Sequence, residues 1–270
     1  MKIVVKIGGS LIDEDLSPLA RDVKELSKEH QIVIIHGGAK IVTEIAQKLG
    51  KEQKFVTSPT GFRSRYTDAE TAEIYTMVIA GTVNKKLVTV LLKEGLNAIG
   101  LSGIDGGLLV AERKPRIKVK EGNKVLLMDG DYTGKVVQVN TKLLELLLNA
   151  GYVPVIGAVA IGKEGENLNV DGDRAAASIA GAIKADKLLD MTDVPGVLEN
   201  EKVITKLSIA EAKQAMEKVG PGMRRKIFAA LEALREGVPE VVIASGIGEH
   251  PLINALEEKN CTVITNESVE

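Results

Sequence analysis

The sequence predicts an α/β protein built on a mainly parallel sheet. Short β-branched runs that end in glycine alternate with longer amphipathic stretches of helical period. Ile3 to Ile7 and Ile32 to His36 are the first two predicted strands, and a glycine pair follows each of them. With 44% hydrophobic residues in a chain of 270, the protein can bury a full core without disulfides.

The remaining elements follow from the same periodicities and from turn residues. Helices are predicted at about 17–29, 40–49, 69–93, 141–149, 173–184 and 209–236. The 69–93 stretch is expected to be interrupted at Gly81, and the 209–236 stretch is expected to contain two helices. Further strands are predicted at 97–101, 153–156, 187–191, 240–244 and 262–264. Two alternating apolar runs, 108–119 and 124–139, are joined by or contain turns at 121–123 and 129–130 and predict hairpins. Ser17 is expected to cap the first helix, before Pro18 at its first position. The chain divides near residue 168 without a linker, which favours two lobes on one sheet.

Composition excludes several classes of protein. The 35 basic and 37 acidic residues give a net charge of -2, so no general affinity for nucleic acid or anionic membranes is expected. The single cysteine, Cys261, excludes an intramolecular disulfide and is expected to be a buried apolar side chain. No signal peptide and no uncharged apolar stretch of about 18 residues is found, which favours the cytoplasm.

Two glycine loops carry the main functional signal. Lys6 to Ser10 and His36 to Ala39 place small residues where strands turn into helices, so backbone N–H groups can approach an anion. Two such loops at neighbouring strand ends predict a phosphate site. Lys6 lies within an apolar strand, where a buried ammonium is costly unless it is paired, so a functional role is favoured.

Two other glycine patterns do not fit known nucleotide motifs. Gly134-Lys135 follows Gly130 one residue too closely for a P-loop, and Val136 stands where a hydroxyl would bind magnesium. The pair Gly246-x-Gly248 is not followed by the third glycine of a dinucleotide fingerprint and equally fits a plain strand-to-helix turn.

Several charged residues admit both a structural and a functional interpretation. Asp171 or Asp173 can cap the alanine-rich helix that follows, while the small residues after Asp173 also suit close packing against a ligand. Lys226 lies on the first turns of a helix after a glycine loop, where a charge run is commonly solvated. His36 is a candidate base, but a hydrogen-bonding brace is the more frequent role at a strand end.

Five motifs in order, KIGGS at Lys6, HGGA at His36, NVDGDRAA at Asn169, LLDMTDVPGV at Leu188 and GPGMRRK at Gly220, resemble the amino-acid kinase family along essentially the whole chain. The resemblance implies a three-layer α/β/α sandwich with an open, mainly parallel eight-stranded sheet. It also implies a substrate-binding and dimerisation lobe at about 1–168 and an ATP-binding lobe at about 169–270. ATP and Mg²⁺ are the implied cofactors.

The resemblance also implies roles for individual residues. Lys6 and Lys226 would neutralise the transferring phosphoryl group while Asp173 holds both lysines. The residues implied to bind the substrate are Gly37, Gly38, Ala39, Arg65 and Asn169. The residues implied to bind ATP are Gly8, Gly9, Asp193, Gly196, Gly222 and Met223. Ala39 departs from the family pattern, which usually has a third glycine there. No protein metal ligands are expected.

The segment Thr57 to Thr67 indicates the acceptor. Its SPxGxRSRYT pattern resembles kinases that act on 2-aminoadipate or glutamate bound to the small acidic carrier protein LysW, whereas N-acetylglutamate kinases tend to have a shorter form. Arg63 and Arg65, with Lys51 and Lys54 upstream, can form a basic patch for an acidic carrier. A solvated loop with unpaired arginines is the alternative.

The sequence hypothesis is therefore a cytoplasmic kinase that forms an acyl phosphate on carrier-bound 2-aminoadipate, and on glutamate, in lysine or arginine biosynthesis. The alternatives are an N-acetylglutamate kinase and a catalytically silent nucleotide-binding sensor, although retention of Lys6, Asp173 and Lys226 argues against silence. Because the chain starts at its first strand, without the N-terminal helix of arginine-inhibited relatives, a homodimer is expected.

Overall fold

The computed structural model describes residues 1–122 and 124–266. The strands are β1 (Lys2–Ile7), β2 (Gln31–His36), β3 (Phe55–Thr57), β4 (Arg63–Arg65), β5 (Ala98–Ser102), β6 (Leu109–Arg113), β7 (Arg116–Glu121), β8 (Lys124–Asp129), β9 (Thr133–Val139), β10 (Val153–Gly157), β11 (Val159–Gly162), β12 (Asn167–Val170), β13 (Lys187–Thr192), β14 (Leu198–Glu199), β15 (Lys202–Val203), β16 (Lys206–Ser208), β17 (Glu240–Ser245) and β18 (Cys261–Thr265). The α-helices are α1 (Ser17–Leu26), α2 (Ala39–Lys48), α3 (Ala69–Thr76), α4 (Asn84–Lys93), α5 (Thr141–Asn149), α6 (Gly172–Ala182), α7 (Ile209–Lys218), α8 (Pro221–Arg235) and α9 (Pro251–Leu256).

One eight-stranded sheet forms the centre of the protein, in the order β16-β18-β17-β13-β1-β2-β10-β5. Its neighbours are parallel except for the β17–β18 pair, so the predicted open, mainly parallel sheet is confirmed. Strands before residue 168 form one side of the sheet and strands after it form the other, and the two sides meet where β1 pairs with β13. The division into two lobes stays a prediction.

Both faces of the sheet are buried, because alternate side chains of each strand point to opposite sides. On β1, Val4 belongs to the core covered by α6 and α8, whereas Ile3 and Val5 belong to the core covered by α1, α4 and α9. This is the predicted α/β/α sandwich. Cys261 lies in the second core with 1% exposure, and burial raises the pKa of its thiol to about 11, so it behaves as the expected apolar side chain.

A smaller β structure lies beside the central sheet. Strands β11, β12, β9 and β6 close into a small barrel, and β7–β8 forms an antiparallel hairpin beside it. The strands predicted within 108–119 and 124–139 are present as β6 to β9, but only β7 and β8 form a hairpin, because β6 pairs with β9 in the barrel. Asn123, part of the predicted turn between β7 and β8, lies outside the described residues.

Several local predictions need correction. Ser17 does not cap α1 with its side chain: it is the first helical residue, and its N–H donates to Asp15 Oδ1 at 2.9 Å. Two helices or one kinked helix are predicted around Gly81, and the structure has one helical stretch, in which a π-helical segment, Met77–Val83, joins α3 to α4. The β3–β4 hairpin and α9 were not predicted, because their segments are too short to show the periodicity of a strand or of a helix.

The helical stretch Ala69–Lys93 is long and apolar enough, by length and composition, to span a membrane. Half of its most apolar window is buried inside the protein, and the stretch carries Lys85 and Lys86 near its middle. The buried side chain of Asn84 turns inward and donates to the Val155 carbonyl at 2.8 Å. These features are typical of a core helix of a soluble protein.

Candidate active site

The two glycine loops meet at the carboxyl edge of the sheet. β1 and β2 pair in parallel, with Ile7 opposite His36, so their last residues lie side by side. A Cβ atom added to Gly9 would lie 3.4 Å from the Cα of Gly38. Gly38 itself has φ of 152° and faces Ile79 and Val83 so closely that only glycine fits there.

The glycines of the first loop have different roles. The Gly8 N–H donates to the Met191 carbonyl at 2.9 Å, and an added Cβ would lie 2.9 Å from that oxygen. In this conformation Gly8 joins β1 to β13 and does not offer its N–H to a phosphate, contrary to the sequence prediction. Gly9 begins a 3₁₀ turn, Gly9–Leu11, that has no side-chain cap, so the first N–H groups of this turn suit an anion.

A buried cluster of two lysines and two aspartates lies beside these loops. Lys6 on β1 contacts Asp173 Oδ1, and its Nζ is 3.5 Å from Asp190 Oδ1. Lys226 on α8 has its Nζ 2.8 Å from Asp190 Oδ1 and 3.3 Å from Asp173 Oδ1. The four side chains are at most 11% exposed. The cluster thus joins β1, β13, α6 and α8 at one point.

The charges in this cluster stabilise one another. Burial alone would lower the pKa of Lys6, but the charges of Asp173 and Asp190 outweigh burial and raise that pKa above its ordinary value. Burial alone would raise the pKa of Asp173, but Lys6 and Lys226 outweigh burial and hold it well below its usual range. At neutral pH, Lys6 is therefore an ammonium and Asp173 a carboxylate.

Sequence reasoning missed Asp190. It lies within the LLDMTDVPGV motif, but no role was assigned to it. The signal was the same as for Lys6: a charged residue inside an apolar strand needs a partner. The pairing itself depends on strand order, because Lys6 and Asp190 become neighbours only when β13 pairs with β1.

Asp171 caps α6, in agreement with its structural interpretation. Its carboxylate accepts from the N–H groups of Asp173 and Arg174 at 3.0 and 3.1 Å. Burial and the charge of Asp173 raise the pKa of Asp171. An added Cβ on Gly172 would lie 3.7 Å from the Gly37 nitrogen, so the start of α6 faces the second glycine loop.

Arg65 and Asn169 both lie near the end of β4. Arg65 is only 5% exposed, and its guanidinium donates to the Ala39 carbonyl at 2.8 Å and to Thr43 Oγ1 at 3.0 Å. Asn169 Nδ2 donates to Thr67 Oγ1 at 3.0 Å. Arg65 therefore braces the first turn of α2, and Asn169 is held against the segment that follows β4.

The basic patch is smaller than the sequence suggests. Lys51 pairs with Asp68 and Glu70 at 2.9 and 2.7 Å, which neutralises it. Because Arg65 is buried, only Lys54 and Arg63 of the four expected residues are exposed. Each of these two packs over an aromatic ring of the β3–β4 hairpin region.

The β3–β4 hairpin also contacts the helix that carries Lys226. Arg225 donates to the Arg63 carbonyl at 2.6 Å. The rings of Phe62 and Phe228 meet edge to face with centroids 5.6 Å apart, and Arg224 lies over Phe62. The hairpin thus contacts both the second glycine loop, through Arg65, and α8.

The residues expected to bind ATP are spread over three places. Gly222 and Met223 lie in the first turn of α8, whose Gly220 cap offers no side-chain hydrogen bond, so this helix start suits a phosphate. Asp193 is exposed after β13 and accepts from Thr192 at 3.0 Å. Gly196 has a packing reason to be glycine, because an added Cβ would lie 2.5 Å from Thr262 Oγ1.

His36 is a brace and not a free base. It is fully buried, its Nδ1 donates to the Gly37 carbonyl at 3.0 Å, and its Nε2 accepts from Asn84 Nδ2 at 3.1 Å. Burial, with a smaller effect of the Lys85 charge, lowers the pKa of His36 to about 4. The neutral ring thus fixes the second glycine loop.

The geometry of this site agrees with the comparisons with known proteins. A model of the amino acid kinase family matches residues 1–245. The chain belongs to this family, as the sequence motifs predicted. The fold and the paired lysines beside glycine loops are those expected of a phosphotransferase.

Particular relatives are similar over their full length. The chain is 44% identical over 266 residues to the LysW-aminoadipate/LysW-glutamate kinase of Saccharolobus solfataricus, covering 98% of this chain and 99% of that protein. It is 42% identical to the kinase of the same name from Saccharolobus islandicus (strain L.S.2.15 / Lassen #1), with the same coverage.

Solved structures share the fold. N-acetylglutamate synthase from Neisseria gonorrhoeae, complexed with coenzyme A and N-acetyl-glutamate, matches with a TM-score of 0.81 and 28% identity, over 99% of this chain and 60% of that chain. Carbamate kinase from Giardia lamblia bound to AMP-PNP matches with a TM-score of 0.68 and 14% identity, over 98% of each chain. The second match supports the fold alone.

We expect His36 to make the protein less stable in weak acid. An unfolded histidine has a pKa near 6.5, whereas the folded value is about 4, so the unfolded chain binds the extra proton between these values. The free energy of unfolding should therefore fall as pH falls through this window, by roughly 3 kcal/mol in full. Urea unfolding at a series of pH values measures it.

His36→Gln should remove this contribution to the pH dependence of the free energy of unfolding. His250→Gln, at a side chain that is 65% exposed, should retain the contribution because His36 is still present. Equal slopes in the wild type and in His36→Gln between pH 6.5 and about 4.5 would contradict the assignment.

Proposed function

We propose that this protein is an ATP-dependent kinase that phosphorylates the side-chain carboxylate of 2-aminoadipate, and of glutamate, held through its amino group on the carrier protein LysW. The product is an acyl phosphate in lysine or arginine biosynthesis. The observation that carries the proposal is the buried pair Lys6 and Lys226, bound by shared carboxylates where two glycine loops meet. The names of the curated relatives support the acceptor.

The chemistry needs positioning and charge neutralisation. A carboxylate is already ionised at pH 7 and can attack the γ-phosphoryl group without a base. Lys6 and Lys226 donate to the oxygens of the transferring group, with Asp173 holding both lysines. The neutral, fully engaged His36 agrees with a mechanism that needs no base.

The two reactants would approach from opposite sides of the lysines. Gly9, Gly37 and Gly38 offer backbone donors near the acceptor carboxylate, and the loop at Ala39 is braced by Arg65. Asn169 lies on the same side. The adenosine and its phosphates would lie along Asp193, Gly196 and the start of α8 at Gly222 and Met223, with Gly8 supporting the loop through Met191.

We propose that Mg²⁺ enters with the nucleotide. Within residues 1–122 and 124–266, no group of three or more His, Cys, Asp or Glu side chains is arranged to hold a metal ion. The carboxylates of Asp173 and Asp190 are already bound by lysines. This donor set suits an ion held mainly by phosphates and water, which would shield the phosphate charge.

The carrier would bind a basic surface beside the β3–β4 hairpin. Lys54 and Arg63 are exposed there, and β7 packs beside β3. The exposed side chains of the β7–β8 hairpin include four basic ones, Arg116, Lys118, Lys120 and Lys124, the apolar Val125 and Leu127, and two acids, Glu121 and Asp129. A surface of this kind suits a small acidic protein that presents a long side chain to the site.

A cytoplasmic homodimer is part of the proposal. In the proposed dimer, a second copy of the chain would cover exposed apolar side chains of the long helical stretch such as Met77 and Leu92, which are 57% and 51% exposed. Light scattering that gives the mass of a single chain at micromolar concentration would contradict the dimer.

The acceptor is tested by ATP turnover. The purified protein with ATP and Mg²⁺ should form acyl phosphate, trapped as hydroxamate, on LysW carrying aminoadipate or glutamate. LysW without an attached amino acid and free aminoadipate are the controls. Fast turnover of free N-acetylglutamate alone would reject the carrier and establish the alternative, an N-acetylglutamate kinase, and ATP binding without any turnover would favour a silent sensor.

Lys6→Ala and Lys226→Ala should each lower kcat by about 100-fold or more, the usual cost of losing a transition-state donor. Steady-state kinetics with the carrier substrate measures the loss. Lys187→Ala is the matched control, since this lysine of the same sheet pairs with Glu240 and Glu258 outside the site. Near-normal kcat in either cluster variant refutes that lysine's role.

Substitutions of Arg63 and Arg65 should have effects that differ in their dependence on salt concentration. Arg63→Gln should raise the Kd for the carrier, with a loss that shrinks as salt screens the wild-type attraction. Arg65→Gln should weaken turnover at all salt concentrations, because its guanidinium is buried against Ala39 and Thr43. Titration calorimetry at two salt concentrations separates the two, and a salt-independent loss for Arg63→Gln would argue against the proposed surface.

A further inference from the structure

We propose that Asp190 is a positioning residue of the phosphoryl-transfer site, which fixes Lys226 beside Lys6 and supplies the second negative charge of the cluster. This inference rests on the lysine roles proposed above. It gives Asp190 a function distinct from that of Asp173, which holds the pair from the start of α6.

The position of Asp190 makes it a rigid reference point. It lies within β13, with Lys6 of β1 as its register neighbour on one side and Ile243 of β17 on the other. Its backbone is therefore fixed by hydrogen bonds to two strands, and the residue is 4% exposed. A side chain mounted on the centre of a sheet holds its partners more tightly than one on a loop.

The distances divide the cluster into two primary pairs. Lys226 Nζ is closer to Asp190 Oδ1, at 2.8 Å, than to Asp173 Oδ1, at 3.3 Å. Lys6 shows the opposite preference, since it contacts Asp173 and lies 3.5 Å from Asp190. Lys226 extends from α8 on a long flexible side chain, so its strongest fixed contact is the one with Asp190.

The charge balance gives the physical reason for a second carboxylate. Two ammonium ions that shared Asp173 alone would repel each other and leave one buried charge without its own partner. With Asp190 present, two positive and two negative groups alternate. Asp171, the next acid, cannot replace Asp190, because it caps α6 and faces Arg225 at 3.6 Å.

The test is Asp190→Asn, which keeps the shape of the side chain and removes its charge. We expect kcat to fall by about 10- to 100-fold, the cost of a misplaced catalytic group, while KM for ATP changes less. Lys6 faces Asp173, Asp190 and Lys226, so losing one negative neighbour should lower its pKa. The alkaline limb of the kcat profile should therefore move to lower pH.

Asp22→Asn is the matched structural control. Asp22 is an equally buried aspartate at 1% exposure, and it accepts from the Leu252 N–H at 2.9 Å, away from the lysines. This variant should lose stability and keep the wild-type pH profile. Asp190→Asn with wild-type kcat and an unchanged alkaline limb would overturn the proposal.

A second variant covers the case in which Asp190→Asn does not fold. Asp190→Leu matches the apolar neighbours in β13 and places no unsatisfied polar atom there, while Lys226 keeps Asp173 as its remaining partner. Labelling with acetic anhydride as a function of pH, followed by mass spectrometry, then reports Lys6 directly. Lys6 should react at lower pH in the variant, and identical labelling curves would overturn the inference.

These measurements separate the two proposals. If the wild type turns over none of the offered acceptors, the proposed function fails. The labelling of Lys6 needs no acceptor and still decides whether Asp190 controls the lysine pair.

Discussion

The rest of the site depends on one constraint: two lysines buried at the centre of the sheet require two carboxylates within reach. An isolated ammonium in this environment costs several kcal/mol, and mutual pairing with good geometry offsets that cost. Lys6 comes from β1, Asp190 from β13, Asp173 from α6 and Lys226 from α8. The order of the central strands and the packing of both helices against them are therefore conditions for the chemistry as well as for the fold.

The same arrangement connects the second glycine loop to the helix that carries Lys226. The β3–β4 hairpin contacts α8 through Arg225 and through the pair of Phe62 and Phe228. The helix that carries Lys226 is thus in contact with the segment proposed to meet the carrier. Arg65 works within this unit, because its buried guanidinium supports the loop at Ala39 and does not face solvent.

The fold was predictable because its signals are local. Glycine pairs after apolar runs marked the ends of β1 and β2, and helical periodicity marked α2, α5 and α6. Short elements escaped detection for the same reason. The three-residue strands β3 and β4 and the six-residue helix α9 are stabilised by tertiary contacts, such as the hydrogen bonds from α9 to Asp22, that no local pattern reports.

By itself, the sequence determined the fold class, the family and most of the candidate site, because an unpaired charge in an apolar strand and small residues at strand ends carry their meaning locally. Only the tertiary structure decided which charges meet. It paired Lys6 and Lys226 with Asp190 as well as Asp173, and it neutralised Lys51 with Asp68 and Glu70. The physical reason is that electrostatic pairing depends on distances of a few ångströms between residues far apart in the chain, and strand order and helix packing set those distances.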